Sequence, residues 1–245
     1  MGRADAPPPR PRHHALVVAD GDVPGRAALD AAWPGWADDI ELVIAADGGL
    51  ARVAPLGLTA SLLVGDLDSI DAATLASAAG SGLPIHRAPV DKDESDAELA
   101  LLAAIARGAG RVTMLGAFGG PRLDHALANL WLLAHPALAA TDVLLLDAGQ
   151  RVSLLVAPDS TGQPVTRALP GRIGGLVSLL PFGGEVLGVT TVGLRYPLAD
   201  EPLLVGPARG LSNVRLVADA SVTIRAGRLL VVETAVPGGG LSSAS

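Results

Sequence analysis

Six short apolar runs punctuate the first 147 residues: ALVVA (15–19), ELVIAA (41–46), SLLVG (61–65), PIHRAPV (84–90), RVTMLG (111–116) and DVLLLD (142–147). They run nearly unbroken instead of alternating with polar positions, which suits strands covered on both faces. Ala/Leu-rich helical stretches separate them, so the strands should be parallel. The pattern predicts an α/β domain over 15–148, a mostly parallel, Rossmann-like sheet with helices. One helix is marked at both ends. Ser95 and Glu98 have capping-box spacing, the apolar run 99–106 follows, and Gly108 stops it. Another is expected to start near Asp124 and end before Pro136.

After about 148 the texture changes. Val, Thr and Leu runs separated by Gly and Pro replace the helical pattern: RVSLLVAP (151–158), GGLVSLLPFGGEVLGVTTVGL (174–194) and ASVTIRAGRLLVVETAV (220–236). These predict a C-terminal antiparallel β-sandwich domain over 149–236, with RAGR at 225–228 as a hairpin turn. The Pro/Arg-rich opening, 1–14, and the Gly/Ser-rich end, 237–245, are expected to be disordered tails.

Composition narrows the classes of function. The formal net charge is −7, against the basic patches that a nucleic-acid partner requires. With no cysteine, disulfides, thiolate metal sites and cysteine nucleophiles are excluded. The apolar run 15–19 stops at Asp20, too short for a secretory signal. The longest oily stretch, 126–140, carries Asn129, His135 and Pro136 and falls short of the roughly 20 residues of a membrane span. A soluble, cytoplasmic protein with no membrane partner is the expectation.

The acids fall where chemistry would use them. The apolar runs lead into Asp20-Gly21-Asp22, Asp47-Gly48-Gly49, Asp66-Leu67-Asp68-Ser69, the 91–98 cluster and GGPRLDH (119–125). In a parallel sheet these loops leave one carboxyl edge, where such folds bind ligands. Crowded carboxylates raise one another's pKa unless a cation sits among them. In an extended segment Asp66 and Asp68 would point the same way and suit Mg²⁺, which shares its coordination with phosphate oxygens; a polar turn is the plainer alternative. Asp96 in a first helical turn is favoured by the helix dipole in any case. Arg122, Asp124 and His125 are able to grip phosphate, orient a hydroxyl and bond a polar ligand. Lys92, the only lysine of the chain, sits among Asp91, Asp93, Glu94 and Asp96. It is either a counter-charge or, as a compact ammonium that arginine does not replace, a phosphate contact. There is no G-x-x-x-x-G-K-[ST], G-x-G-x-x-G, G-x-S-x-G or H-E-x-x-H motif. Phosphate would have to be held by metal, Lys92 and Arg122.

At these residues the chain resembles the thiamine pyrophosphokinases. The segments ADGGL (46–50), GDLDSI (65–70), DKDESDAE (91–98), GGPRLDH (119–125) and GLSN (210–213) occur in the family's order. LLPFGGEVLGVTTVGLRYPL (179–198) is similar to the family's second domain, and the resemblance covers about 15–235. The first loop reads ADGD where many relatives carry Asn-Gly, and Tyr196 stands where some carry Trp. The resemblance implies a homodimer that transfers pyrophosphate from ATP to the hydroxyl of thiamine, giving thiamine diphosphate and AMP. It implies Mg²⁺ on Asp66, Asp68 and Asp96, with Lys92, Arg122 and Asp124 completing the catalytic set. Asp20, Asp47, Gly48, Asp91, Asp93 and His125 would line the nucleotide and thiamine pocket, and Ser212 and Asn213 would contact the thiamine pyrimidine. The rival readings are a Mg²⁺-dependent nucleotide phosphohydrolase, which does not require GLSN, and a non-catalytic thiamine or nucleotide-binding protein.

Overall fold

The computed structural model describes residues 13–157 and 163–236. Residues 1–12 and 237–245 of the expected tails lie outside them; His13 and His14 instead open the first strand. In chain order the elements are β1 (His13–Val18), α1 (Arg26–Ala32), β2 (Ile40–Ala46), α2 (Leu50–Val53), β3 (Leu62–Gly65), α3 (Ala72–Gly80), β4 (Ile85–Arg87), α4 (Asp96–Ala106), β5 (Ala109–Leu115), α5 (Leu123–Leu132) and β6 (Asp142–Leu146). There follow β7 (Gln150–Ala157), β8 (Val165–Pro170), β9 (Leu176–Pro181), β10 (Val186–Val192), β11 (Glu201–Leu203), β12 (Asn213–Val214), β13 (Asp219–Ile224) and β14 (Gly227–Thr234). The described chain divides into two compact units. One takes the chain up to Val23 together with Ala37–Val143; the other takes Pro24–Trp36 and the chain from Leu144 on.

In the first unit the strand order is β5-β1-β2-β3-β4, and all four pairings are parallel. Val17, Ile44, Leu63 and Met114 are fully or almost fully buried, which is why these strands read as unbroken apolar runs. α4 packs on β1, β2, β3 and β5. Ser95 Oγ accepts from the Glu98 amide at 3.2 Å, while the Glu98 carboxylate turns to His135 Nε2 at 3.4 Å instead of closing the capping box. His14 is buried. Its Nδ1 donates to the Asp38 carbonyl, leaving Nε2 to accept from Thr113 Oγ1 at 2.9 Å. No described helix is long and apolar enough to cross a membrane.

The second unit holds the strand run β12-β9-β14-β7-β6 and the four-stranded sheet β11-β10-β13-β8, with all these pairings antiparallel. Leu155, Val177, Leu179, Leu229 and Val231 from the first meet Leu169, Val186, Val189, Val222 and Ile224 from the second in one core. This is the expected sandwich. The expected hairpin at 225–228 is not there. β13 pairs with β8 and β10, whereas β14 pairs with β7 and β9, so RAGR carries the chain from one sheet to the other. A bridge between Leu187 and Ala226 holds this corner, and Gly227 turns it at φ 97°. Both strands face the same core, so the local pattern is the same for a hairpin and for a crossing.

A buried ionic cluster braces this unit. Arg151 and Glu233 are directly opposed across β7 and β14. Arg151 Nε and Nη2 donate to the two Glu233 oxygens at 2.7 and 2.8 Å, and Arg215 Nη2 donates to Glu233 Oε2 at 2.5 Å. The Arg151 guanidinium also lies 4.9 Å from the Trp33 ring centre, and Trp33 Nε1 donates to the Asp147 carbonyl. These contacts hold the Pro24–Trp36 segment to its unit.

Candidate functional site

Because β1, β2, β3 and β5 are parallel, their following loops share one edge of the first unit. The β2 and β3 loops bring Asp47, Asp66 and Asp68 together: each offers a carboxylate oxygen within 4.8 Å of the others. Asp47 is buried at 6% exposure and has a positive φ of 46°. Its Oδ1 has no hydrogen-bond partner among the described residues. An unpaired buried oxygen costs about 1–3 kcal/mol, a cost that a cation would remove. Burial is the main cause that raises the Asp47 pKa; the charges of Asp96 and Asp66 add to it, and contacts with Ser69 and the Gly48 backbone oppose it. The approach depends on Gly65, whose φ is 149° and whose position would set a Cβ 3.1 Å from that of Asp47.

The Asp66–Asp68 segment is not extended, as its spacing suggested. Leu67 sits at φ 69°, and the Asp68 amide donates back to Asp66 Oδ1 at 3.2 Å. The two carboxylates converge through a turn, with Leu67 buried at 5% exposure to hold a conformation that costs a branched side chain energy.

Asp96 is not part of this three-carboxylate group. Lys92 lies between it and Asp66, 2.9 Å from Asp66 Oδ2 and 3.1 Å from Asp96 Oδ1, the latter out of line for a hydrogen bond. The Lys92 side chain is 10% exposed. Burial works against its charge, but the contacts with Asp66 and Asp96 outweigh it and raise its pKa; the same hydrogen bond lowers that of Asp66. Asp91, Asp93 and Glu94 are exposed around it. Asp20 is exposed too, packed so closely on Gly48 that a Cβ there would meet its Oδ1 at 2.3 Å.

Arg122, Asp124 and His125 stand exposed at the start of α5. Arg122 grips Asp124 with Nε to Oδ1 at 2.9 Å and Nη2 to Oδ2 at 2.5 Å. This bidentate pair draws the Asp124 pKa down to about 2. The raised pKa expected of crowded carboxylates is found at Asp47 and not at Asp124, because Asp47 is buried and Asp124 has a guanidinium beside it.

In the second unit Ser212 has φ 55°, and its amide donates to Ser178 Oγ at 3.1 Å. Asn213 is buried. Its Oδ1 accepts from the amides of Tyr196 and Val214, both at 2.9 Å, and its Nδ2 donates to the Tyr196 carbonyl at 2.7 Å. In this arrangement the amide fixes the backbone of exposed Tyr196 and is not presented to solvent. Asn129, noted in the sequence only as a polar break in the oily run, is buried on α5 and its Nδ2 donates to the Ala117 carbonyl at 2.9 Å. A lone amide in an otherwise oily helical run was the signal for it.

Residues 35–145 match the family model described as "Thiamin pyrophosphokinase, catalytic domain", and residues 169–230 match "Thiamin pyrophosphokinase, vitamin B1 binding domain". The thiamine pyrophosphokinase of Bacillus subtilis (strain 168) is 23% identical over 200 residues, 82% of this chain and 90% of its own length. The crystal structure of the Bacillus subtilis enzyme superposes with a TM-score of 0.77, covering 91% of this chain and 99% of that one at 23% identity. Yeast thiamin pyrophosphokinase gives a TM-score of 0.72 at 14% identity, covering 94% of this chain and 88% of its own.

Proposed function

Since this chain belongs to the thiamin pyrophosphokinase family, we propose that it transfers the pyrophosphoryl group of ATP to the primary hydroxyl of thiamine. The products are thiamine diphosphate and AMP. In this reaction the hydroxyl oxygen bonds to the β-phosphorus, the bond from that phosphorus to the oxygen bridging the α-phosphate breaks, and the hydroxyl proton is lost to solvent. The observation that carries the reading is the meeting of Asp47, Asp66 and Asp68 with Lys92 alongside. Hard carboxylate oxygens, one of them buried and unpaired, fit Mg²⁺ better than a softer ion. Mg²⁺ held by Asp66, Asp68 and Asp47 would neutralise phosphate charge and align the triphosphate.

The remaining roles belong to the chain itself. Lys92, steadied between Asp66 and Asp96, is a point charge for phosphate oxygens beside the metal ligands. Arg122 supplies a planar fork suited to the same oxygens. Asp124, with a pKa near 2, is a weak base and serves to orient the hydroxyl. Asp20, Gly48, Asp91, Asp93 and His125 line the surroundings, where negative charge suits the cationic thiazolium ring. Ser212 contacts the pyrimidine, while Asn213 supports it through Tyr196. ATP as co-substrate suits a cytoplasmic enzyme. A homodimer would cover the exposed apolar stripe Leu123, Leu127 and Trp131, one residue per helical turn along α5.

The test is to incubate the protein with ATP, Mg²⁺ and thiamine and follow AMP. Thiamine-dependent AMP is the expected product. Release of ADP or phosphate, or AMP that forms equally without thiamine, would favour the phosphohydrolase. Lys92→Arg is expected to lower kcat/KM about tenfold or more, because a guanidinium does not fit a nearly buried ammonium site between two carboxylates. Steady-state kinetics check this; unchanged constants would make Lys92 a counter-charge only.

A further inference from the structure

In the first unit the strand order reverses at β1: β2, β3 and β4 lie to one side and β5 to the other. At such a point the loops after adjacent strands ordinarily part and leave a ligand crevice. Here they are laced together. The Ala19 amide donates to the Leu115 carbonyl at 2.9 Å, Gly21 to Gly116 at 3.1 Å and Asp22 to Phe118 at 2.9 Å. The pairing of β1 and β5 thus continues four residues beyond the sheet, and from the other side Asn129 holds the Ala117 carbonyl.

The last rung is a side chain. Asp22 Oδ2 accepts from the Gly120 amide at 3.2 Å and lies flat against Gly119, where an added Cβ would meet it at 2.2 Å. Gly119 and Gly120 have φ of 79° and 73°. Two adjacent glycines in the left-handed region have many other conformations open to them, so something must select this one. Among the described contacts, a charged acceptor on the amide of the second glycine is the one that does so. Arg122 is two residues further on, and α5 begins at Leu123.

We propose that Asp22 is a positioning residue. It locks the Gly119–Gly120 turn and thereby sets where Arg122, Asp124 and His125 are presented, so that the loops after β1 and β5 work as one body. What those three residues then do rests on the pyrophosphokinase reading; the lock itself does not. The sequence places Asp22 in an acidic loop without marking this role, because the partner is an amide 98 residues away.

Asp22→Ala, Asp22→Asn and Arg122→Ala are compared singly, and the first and third together. Asp22→Ala is expected to lower kcat/KM about 10- to 100-fold, the usual effect of losing a residue that orients a contacting group. Asp22→Asn keeps an acceptor oxygen and should restore most of the activity. With Arg122 already replaced, Asp22→Ala should cost less than about threefold more, since it acts through the presented residues. Hydrogen exchange gives a readout that needs no turnover: the Gly120 amide should lose protection in Asp22→Ala and keep it in Asp22→Asn. Unchanged exchange overturns the lock. Equal losses in the Ala and Asn variants, or full additivity with Arg122→Ala, overturn the positioning role. If the wild type forms no thiamine-dependent AMP, the functional reading fails, while the exchange result still decides the lock.

Discussion

Asp68→Asn is expected to lower kcat/KM by at least about 100-fold while the fold stays as stable as the parent. In the proposed role Asp68 is one charged ligand of a phosphate-neutralising cation, and its loss would forfeit several kcal/mol of transition-state stabilisation, where 1.4 kcal/mol is tenfold in rate. Asp68 is the cleanest of the three acids to change. It is exposed, and its carboxylate accepts from Ser69 Oγ at 3.1 Å. Exposed substitutions of this kind usually alter stability by less than about 0.5 kcal/mol. Asp66 is less informative, because replacing it would also remove one of the two carboxylates that hold Lys92. Kinetics over a Mg²⁺ titration, read beside a thermal melt, check the result. Full activity at low Mg²⁺ would remove Asp68 from the metal set.

Glu233→Gln is expected to destabilise the second unit by about 3–5 kcal/mol. The carboxylate is 6% exposed and is shared by two guanidiniums, one of them, Arg215, only 3% exposed and with no partner for its Nε among the described residues. Removing the shared anion leaves buried Arg215 beside the half-buried Arg151 with no anion between them, and breaking one side of a buried ion pair carries a cost of this size. At about 2–4 °C per kcal/mol for a chain of this length, the melting temperature should fall by roughly 6–20 °C. Urea denaturation followed by circular dichroism measures it. A loss below 1 kcal/mol would mean that the cluster is hydrated instead of sealed. A variant with Arg151, Arg215 and Glu233 all replaced by apolar residues should recover much of the loss, as buried ion clusters often do.

The parts of the molecule that could be read from the chain are those whose local pattern admits one answer. Strands buried on both faces, as at Val17 or Leu63, leave an unbroken apolar run. Ser95 announces α4 because its hydroxyl accepts from an amide three residues on. The acids could be placed at one edge because parallel strands direct all their following loops that way. What escaped depends on partners distant in sequence or on backbone torsions. The turn at Leu67 gives no sign in the side chain that adopts it. The entry of Asp47 into the carboxylate group, with Asp96 drawn to Lys92, depends on the bare Cα of Gly65. Asn213, expected to face a ligand, is occupied with Tyr196, seventeen residues earlier in the chain.

The corner at 225–228 has a consequence for biosynthesis. β14 lies between β7 and β9, partners that leave the ribosome some 50 to 80 residues before it. Until Thr234 has emerged, those two strands have no neighbour on their facing sides, and both are rich in Val and Leu. Such unpaired edges are templates for wrong association. The nascent chain is therefore most exposed to aggregation while β14 is still being translated, and a stop codon at 227 is expected to yield an insoluble product even though every acidic group of the first unit had already been made.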